Sequence, residues 1–262
     1  MIPDSVIGDD NYFENFRLKL PESAPDRPNR FKGLAYATLG EYKTQFELRT
    51  IRNVIIKQNT PQGDDSSMYE VFNRLNTGGI NLKPQEIRMS MYHSPFYDFL
   101  YKVNSSQGWR KLVGNDVPDL HMKDIEVLLR GFAMLIDGDD YSPSMVKFLN
   151  KFSREAKRFD DTKIAYLHQL MESFLKSASN LPPNAFTTKN GRFNVALYEA
   201  AFYATCKKAY LENRSVNGDI SEVQLNLLES DSQFGAALAE GTTQTRNVLT
   251  RLQRAVSIIG EH

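Results

Sequence analysis

Apolar positions along this chain recur at two different periods, and the change falls near residue 60. Before it, YFENFRLKL (residues 12–20) is aromatic and partly alternating, which predicts a strand. PESAPDRPNR carries three prolines in ten residues and predicts a loop. FKGLAYATLGEYKTQ is mixed, with a short helix expected near Leu39 to Gln45. FELRTIRNVIIKQ (residues 46–58) is β-branched and predicts a second strand, strongest at Val54 to Ile56.

After residue 60 the period is helical. Met68, Val71, Phe72 and Leu75 share one face of a helix expected over Ser67 to Asn76. Ser67 and Glu70 have capping-box spacing, and Asp64 and Asp65 suit the positive end of the helix dipole. Thr77-Gly78-Gly79 ends that helix, and Pro84 fits the first turn of the next, which runs to about His93. Further helix starts fall at Ser94-Pro95 and Ser142-Pro143. Met122, Ile125, Leu128, Leu129, Phe132 and Ile136 mark another helix. Lys163 to Ser177 follows, broken by Leu181-Pro182-Pro183. Phe193 to Tyr210 is apolar over most of its circumference, so it is the expected central helix. The last helix sets Val248, Leu252, Val256 and Ile259 on one face, opposite Arg246, Arg251 and Arg254. The fold class is therefore α+β, mainly α. Two or three strands make an uncomfortable sheet by themselves, so a sheet-like part is expected upstream.

Composition narrows the function classes. Acidic and basic residues balance at 32 each, so no global field recruits nucleic acid or an anionic membrane. Trp109 is expected to be a packing anchor, and Cys206, the only cysteine, a core residue; a reducing, cytoplasmic setting fits. No stretch reads as a membrane span, and the first residues lack the pattern of a signal peptide. His93, His121, His168 and His262 lack metal-ligand spacing.

Candidate chemistry concentrates in residues 72–88, FNRLNTGGINLKPQEIR. Asn76 is either a helix-capping residue or an amide that both donates to and accepts from a phosphate or bound ion. Gly78 and Gly79 allow close backbone approach, and the helix starting at Pro84 presents free amides. Arg74 and Arg88 are either solvated charges, with Arg88 close to Glu86 for a local ion pair, or guanidinium forks for phosphate.

Residues 71–91, VFNRLNTGGINLKPQEIRMSM, resemble the domain-of-unknown-function 262 family, the nucleotide-sensing half of GmrSD-type restriction enzymes and of other phage-defence proteins. RFKGLAYATL, DIEVLLRGFAML, FNVALYEAAFY and GTTQTRNVLTRLQRAV resemble further family segments, so the likeness spans nearly the whole chain. The resemblance implies an incomplete ParB-like α/β portion over residues 1–92 and a helical domain over 93–262. It implies a nucleotide site at Asn76, Thr77, Gly78, Gly79, Arg74, Glu86 and Arg88, with a nucleoside triphosphate and Mg as ligands. The family's Asp-Gly-Gln-Gln-Arg motif, tied to hydrolysis, does not occur in this sequence, nor does its His-Asn-His nuclease domain. A partner chain or an N-terminal segment is expected to supply that motif. This chain alone is expected to hydrolyse little or nothing, and its link to DNA is expected to be indirect. The other reading is a non-catalytic helical scaffold that docks such a partner. Lys83 stands where the family has Ser or Thr, so the hydroxyl cap is lost. Arg246, Arg251 and Arg254 are read as a solvated face or as contacts to a DNA backbone.

Overall fold

The computed structural model describes residues 17–21, 29–51, 53, 55, 66–75, 82–188 and 190–260. Among these residues twelve α-helices follow in order. They are α1 (Tyr42–Glu47), α2 (Ser66–Leu75), α3 (Pro84–Tyr92), α4 (Pro95–Asn104), α5 (Gln107–Val113) and α6 (Lys123–Asp137), then α7 (Met145–Ala156), α8 (Asp161–Ser177), α9 (Val195–Leu211), α10 (Glu222–Ser230), α11 (Ser232–Ala239) and α12 (Thr245–Ile259).

The helical reading of the chain beyond residue 60 holds. Of the strand expected over residues 46–58, Phe46 and Glu47 instead close α1, and no strand ladder occurs among the described residues. Among the described residues their β propensity has no neighbouring strand to pair with, and propensity without a partner does not make a sheet. Val54 and Ile56, and residues 12–16 of the first expected strand, lie outside the described residues. Thr187 and Phe193 form an isolated antiparallel bridge. The mainly helical class therefore stands, while the expected α/β portion is absent from the described residues. Ser67 also proves to be inside α2, which starts at Ser66, so it is not the cap.

The core is built around α9. Leu197, Tyr198, Ala201, Phe202 and Cys206 are buried on different sides of it, because α6, α8 and α12 all pack against it. An all-round apolar sequence has this as its stable environment. Aromatic rings join the layers edge to face: Phe132 of α6 meets Phe202 at 5.3 Å, and Phe174 of α8 meets Phe202 at 4.8 Å. Trp109 is fully buried, its indole N–H donating to Asn104 Oδ1 at 3.0 Å. Cys206 lies in the same core, where burial pushes its thiol well above the ordinary value.

The sequence around α3 attaches it to this core. Pro84 opens the helix and Lys83 is its N-cap residue, in extended conformation. The Lys83 side chain cannot accept a hydrogen bond. Half of the capping box survives, since the Glu86 carboxylate accepts from Lys83 N–H at 2.5 Å. Met89 and Tyr92 join the hydrophobic core, and α3 packs on α6 and α7. No helix among the described residues is long and apolar enough to cross a membrane.

Candidate functional site

Four of the seven expected site residues, Asn76, Thr77, Gly78 and Gly79, lie outside the described residues. The flanking helices α2 and α3 are described, and they place the other three. Arg74 is exposed in the last turn of α2. Glu86 is half-buried in the first turn of α3. Arg88 is fully buried, with no accessible surface.

Arg88 corrects the reading of a solvated charge. Its Nε donates to Asn150 Oδ1 on α7 at 3.0 Å. Its Nη1 donates to Gln85 Oε1 and lies 3.3 Å from Glu126 Oε2 on α6. The planar fork of a guanidinium suits one hub serving three acceptors, which the single ammonium of lysine cannot imitate. A buried charge without such partners would cost several kcal/mol (~3 or more). The motif arginine thus fastens α3 to both α6 and α7. Two buried phenols stand beside it. Tyr69 of α2 is raised by burial, with Arg88 opposing the shift. Tyr97 of α4 is pushed by burial up to about 12, and its hydroxyl pairs with Ser153 Oγ at 2.9 Å.

Between the start of α3 and helices α6 and α7 lies a cleft of about 380 Å³. Lys83, His121, Lys123 and Arg130 line it on the cationic side, and Met145 and Leu149 on the apolar side. His121 Nδ1 lies 3.3 Å from Glu86 Oε1, so Glu86 already serves two neighbours, His121 and the Lys83 amide. The N–H groups of Gln85 and Glu86 open α3 and have no intrahelical acceptor. With Lys83 beside them, this donor set suits the oxygens of an anion such as phosphate. It suits a metal ion poorly. Among the described residues no group of three or more His, Cys, Asp or Glu could hold one. His93 pairs instead with Asp98 at 3.1 Å, and His168 lies 3.9 Å from Glu172.

Several polar residues that matter here carried no sequence signal. Gln85 and Asn150 read as surface amides, yet both are acceptors for Arg88. Glu199 did carry one: it is the single charge in the apolar run 195–206. It is buried and accepts from Arg130 Nε. Its electrostatic field also reaches Arg251 and Tyr141. Arg251 itself is buried, donating to the carbonyls of Ala237 at 3.0 Å and Thr242 at 2.9 Å. Arg254 makes a two-pronged pair with Asp231, at 3.1 and 2.7 Å. The solvated arginine face read on the last helix is thus corrected: Arg251 and Arg254 brace α12 against its neighbours, and only Arg246 of the three is exposed. Compared with protein-family models, with curated proteins and with solved structures, the chain matches none of them.

Proposed function

We propose that this chain is part of a nucleotide-sensing module in a DNA restriction or phage-defence system, and that it is not catalytic alone. Binding of a nucleoside triphosphate, with Mg, falls to the segment Asn76 to Gly79 and to the first turn of α3. The observation that carries the reading is the Arg88 joint. The helix that follows the Asn-Thr-Gly-Gly segment is tied through one buried guanidinium to α6 and α7. A ligand that shifts the start of α3 therefore bears directly on the helical part, as a sensor requires. In this reading Arg88 transmits the state of the site, and Lys83 with the α3 amides faces the phosphates. A partner chain or upstream segment with the Asp-Gly-Gln-Gln-Arg motif completes the site, and this chain's contribution to DNA cleavage runs through that partner.

The experiment is a melting titration with ATP, GTP and CTP, each with Mg. A ligand at about 100 times its Kd adds about 2.7 kcal/mol by linkage. Asn76→Ala is expected to abolish the rise. Three nucleotides without effect at millimolar concentration would refute the reading, and steady turnover by this chain alone would refute the non-catalytic part.

A scaffold role is supported by a different observation. Phe46, Leu48, Ile51 and Ile55 are 60–90% exposed, a run of large apolar side chains turned to solvent, with Phe46 touching only the edge of the Tyr36 ring among the described residues. A docked partner would cover them. Mutating Leu48 and Ile51 to Ser is the corresponding test, read as loss of a co-purified or reconstituted complex.

A further inference from the structure

We infer that the outer face of α7 is a contact surface for the phosphate backbone of duplex DNA. The chain as a whole is neutral, but residues 145–158, MVKFLNKFSREAKR, hold five basic residues and one acid. Lys147, Lys151, Arg154 and Arg158 are spaced four, three and four residues apart. At 3.6 residues per turn, that places the three within the helix, Lys147, Lys151 and Arg154, inside an arc of about 60°. Lys147, Lys151, Lys157 and Arg158 are exposed, and Arg154 is half-buried. Arg158 continues the line in the turn after the helix, its N–H donating to Glu155 O at 2.9 Å. The nearby acids are Glu155, the exposed Asp160 and Asp161 just past Arg158, and, on the end of α6, Asp137, whose carboxyl is raised mainly by burial and feels Glu155, Lys151 and Asp140. Lys147, Lys151, Lys157 and Arg158 form no ion pair within 4.0 Å among the described residues. At the near end, Arg74 of α2 lines the same cleft as Lys147.

The geometry selects the occupant. Ten residues of helix, 147–156, span about 15 Å, and a duplex carries one phosphate charge about every 1.7 Å of axis over both strands. The row is thus long enough for its four or so cations each to reach a phosphate of one strand or the other. Both aromatic residues of α7, Phe148 and Phe152, are buried, so the face offers no ring on which an unpaired base could stack. That favours a duplex over a single strand. The apolar face of α7, including Leu149 and Ala156, is committed to the core, so the helix cannot embed in a lipid surface as an interfacial helix would. The choice of DNA over RNA rests on the proposed defence function; the row of cations itself speaks for a duplex backbone. Such contacts position a protein on DNA and carry no base sequence.

The test is fluorescence anisotropy of the full chain on a labelled DNA duplex of about 20 base pairs, between about 50 and 200 mM salt. Wild type is expected to bind, with log K falling against log salt at a slope of about −4. Lys147→Glu/Lys151→Glu/Arg158→Glu is expected to weaken binding more than about tenfold and to flatten the slope to about −1. The neutral pair Lys147→Gln/Lys151→Gln gives a smaller loss of the same sign, should the reversal lower the melting temperature. Lys176→Glu, elsewhere on the surface, is expected to leave binding unchanged. The inference is overturned by no binding at the low-salt end, by reversal variants that bind like wild type, or by equal or tighter binding to duplex RNA or to anionic vesicles. A chain that binds DNA through this row but ignores nucleotides upholds the inference and sinks only the sensing function.

Discussion

Removing the Arg88 side chain is the sharpest perturbation the fold offers. Arg88→Ala deletes a fully buried guanidinium and leaves three acceptors, Gln85 Oε1, Asn150 Oδ1 and Glu126 Oε2, without their donor. Hydrogen bonds to a charged group contribute about 1.5–3 kcal/mol each, and breaking a buried ion pair costs about 3–5 kcal/mol. These figures overlap, and Glu126 is 31% exposed, so water compensates part of its loss. A total near 3 kcal/mol follows, and for a chain of this size that lowers Tm by about 6–12 °C. Arg88→Lys keeps the charge but not the fork, and is expected to lose about half as much. Glu126→Gln keeps an acceptor at a half-wet site and is expected to cost about 1 kcal/mol or less. Urea unfolding followed by circular dichroism gives the three free energies, and calorimetry the Tm shifts. A solvated arginine would cost about 0–0.5 kcal/mol on removal. An Arg88→Ala value in that range refutes the joint and the transmission argument built on it.

Three further outcomes are expected. A Cβ at Gly131 would lie 2.8 Å from the buried hydroxyl of Tyr198, so Gly131→Ala should cost about 1–3 kcal/mol. Because that hydroxyl has no hydrogen-bond partner among the described residues, Tyr198→Phe should restore most of the loss in the double variant, as thermal melting will reveal. Asp231 is held below the ordinary carboxylate value of 3.8, first by the Arg254 guanidinium and then by the Phe234 amide. Its stabilisation is therefore present above that value and is lost as pH falls through the lower folded value, and Asp231→Asn should flatten acid unfolding there. Cys206 should resist maleimide in the native chain and react fully after denaturation, because its thiol is buried and its ionisation suppressed; rapid native labelling would contradict the core assignment.

The sequence by itself determined the helices and most of their inward faces. An apolar residue every three or four positions has one low-energy arrangement, a helix with that stripe against other helices. Hence α6, α8 and α12 are legible, and the apolar circumference of Phe193 to Tyr210 marks α9 as central. The helix start at Pro84 was legible for the same local reasons. Tertiary structure decided what locality cannot express. Phe46 and Glu47 begin a stretch with strand propensity, but a strand exists only through a neighbour's hydrogen bonds, and these two residues close a helix instead. Arg88 and Arg251 look like surface charges, because periodicity ranks residues by type and not by reach. A long arginine on the flank of an apolar stripe is buried or solvated according to which acceptors other helices bring within about 3 Å. Those acceptors, Asn150 and Glu126 for Arg88 and the carbonyls of Ala237 and Thr242 for Arg251, come from elements distant in sequence. Only the packed chain brings them together, and the same packing leaves the cations of α7 turned outward.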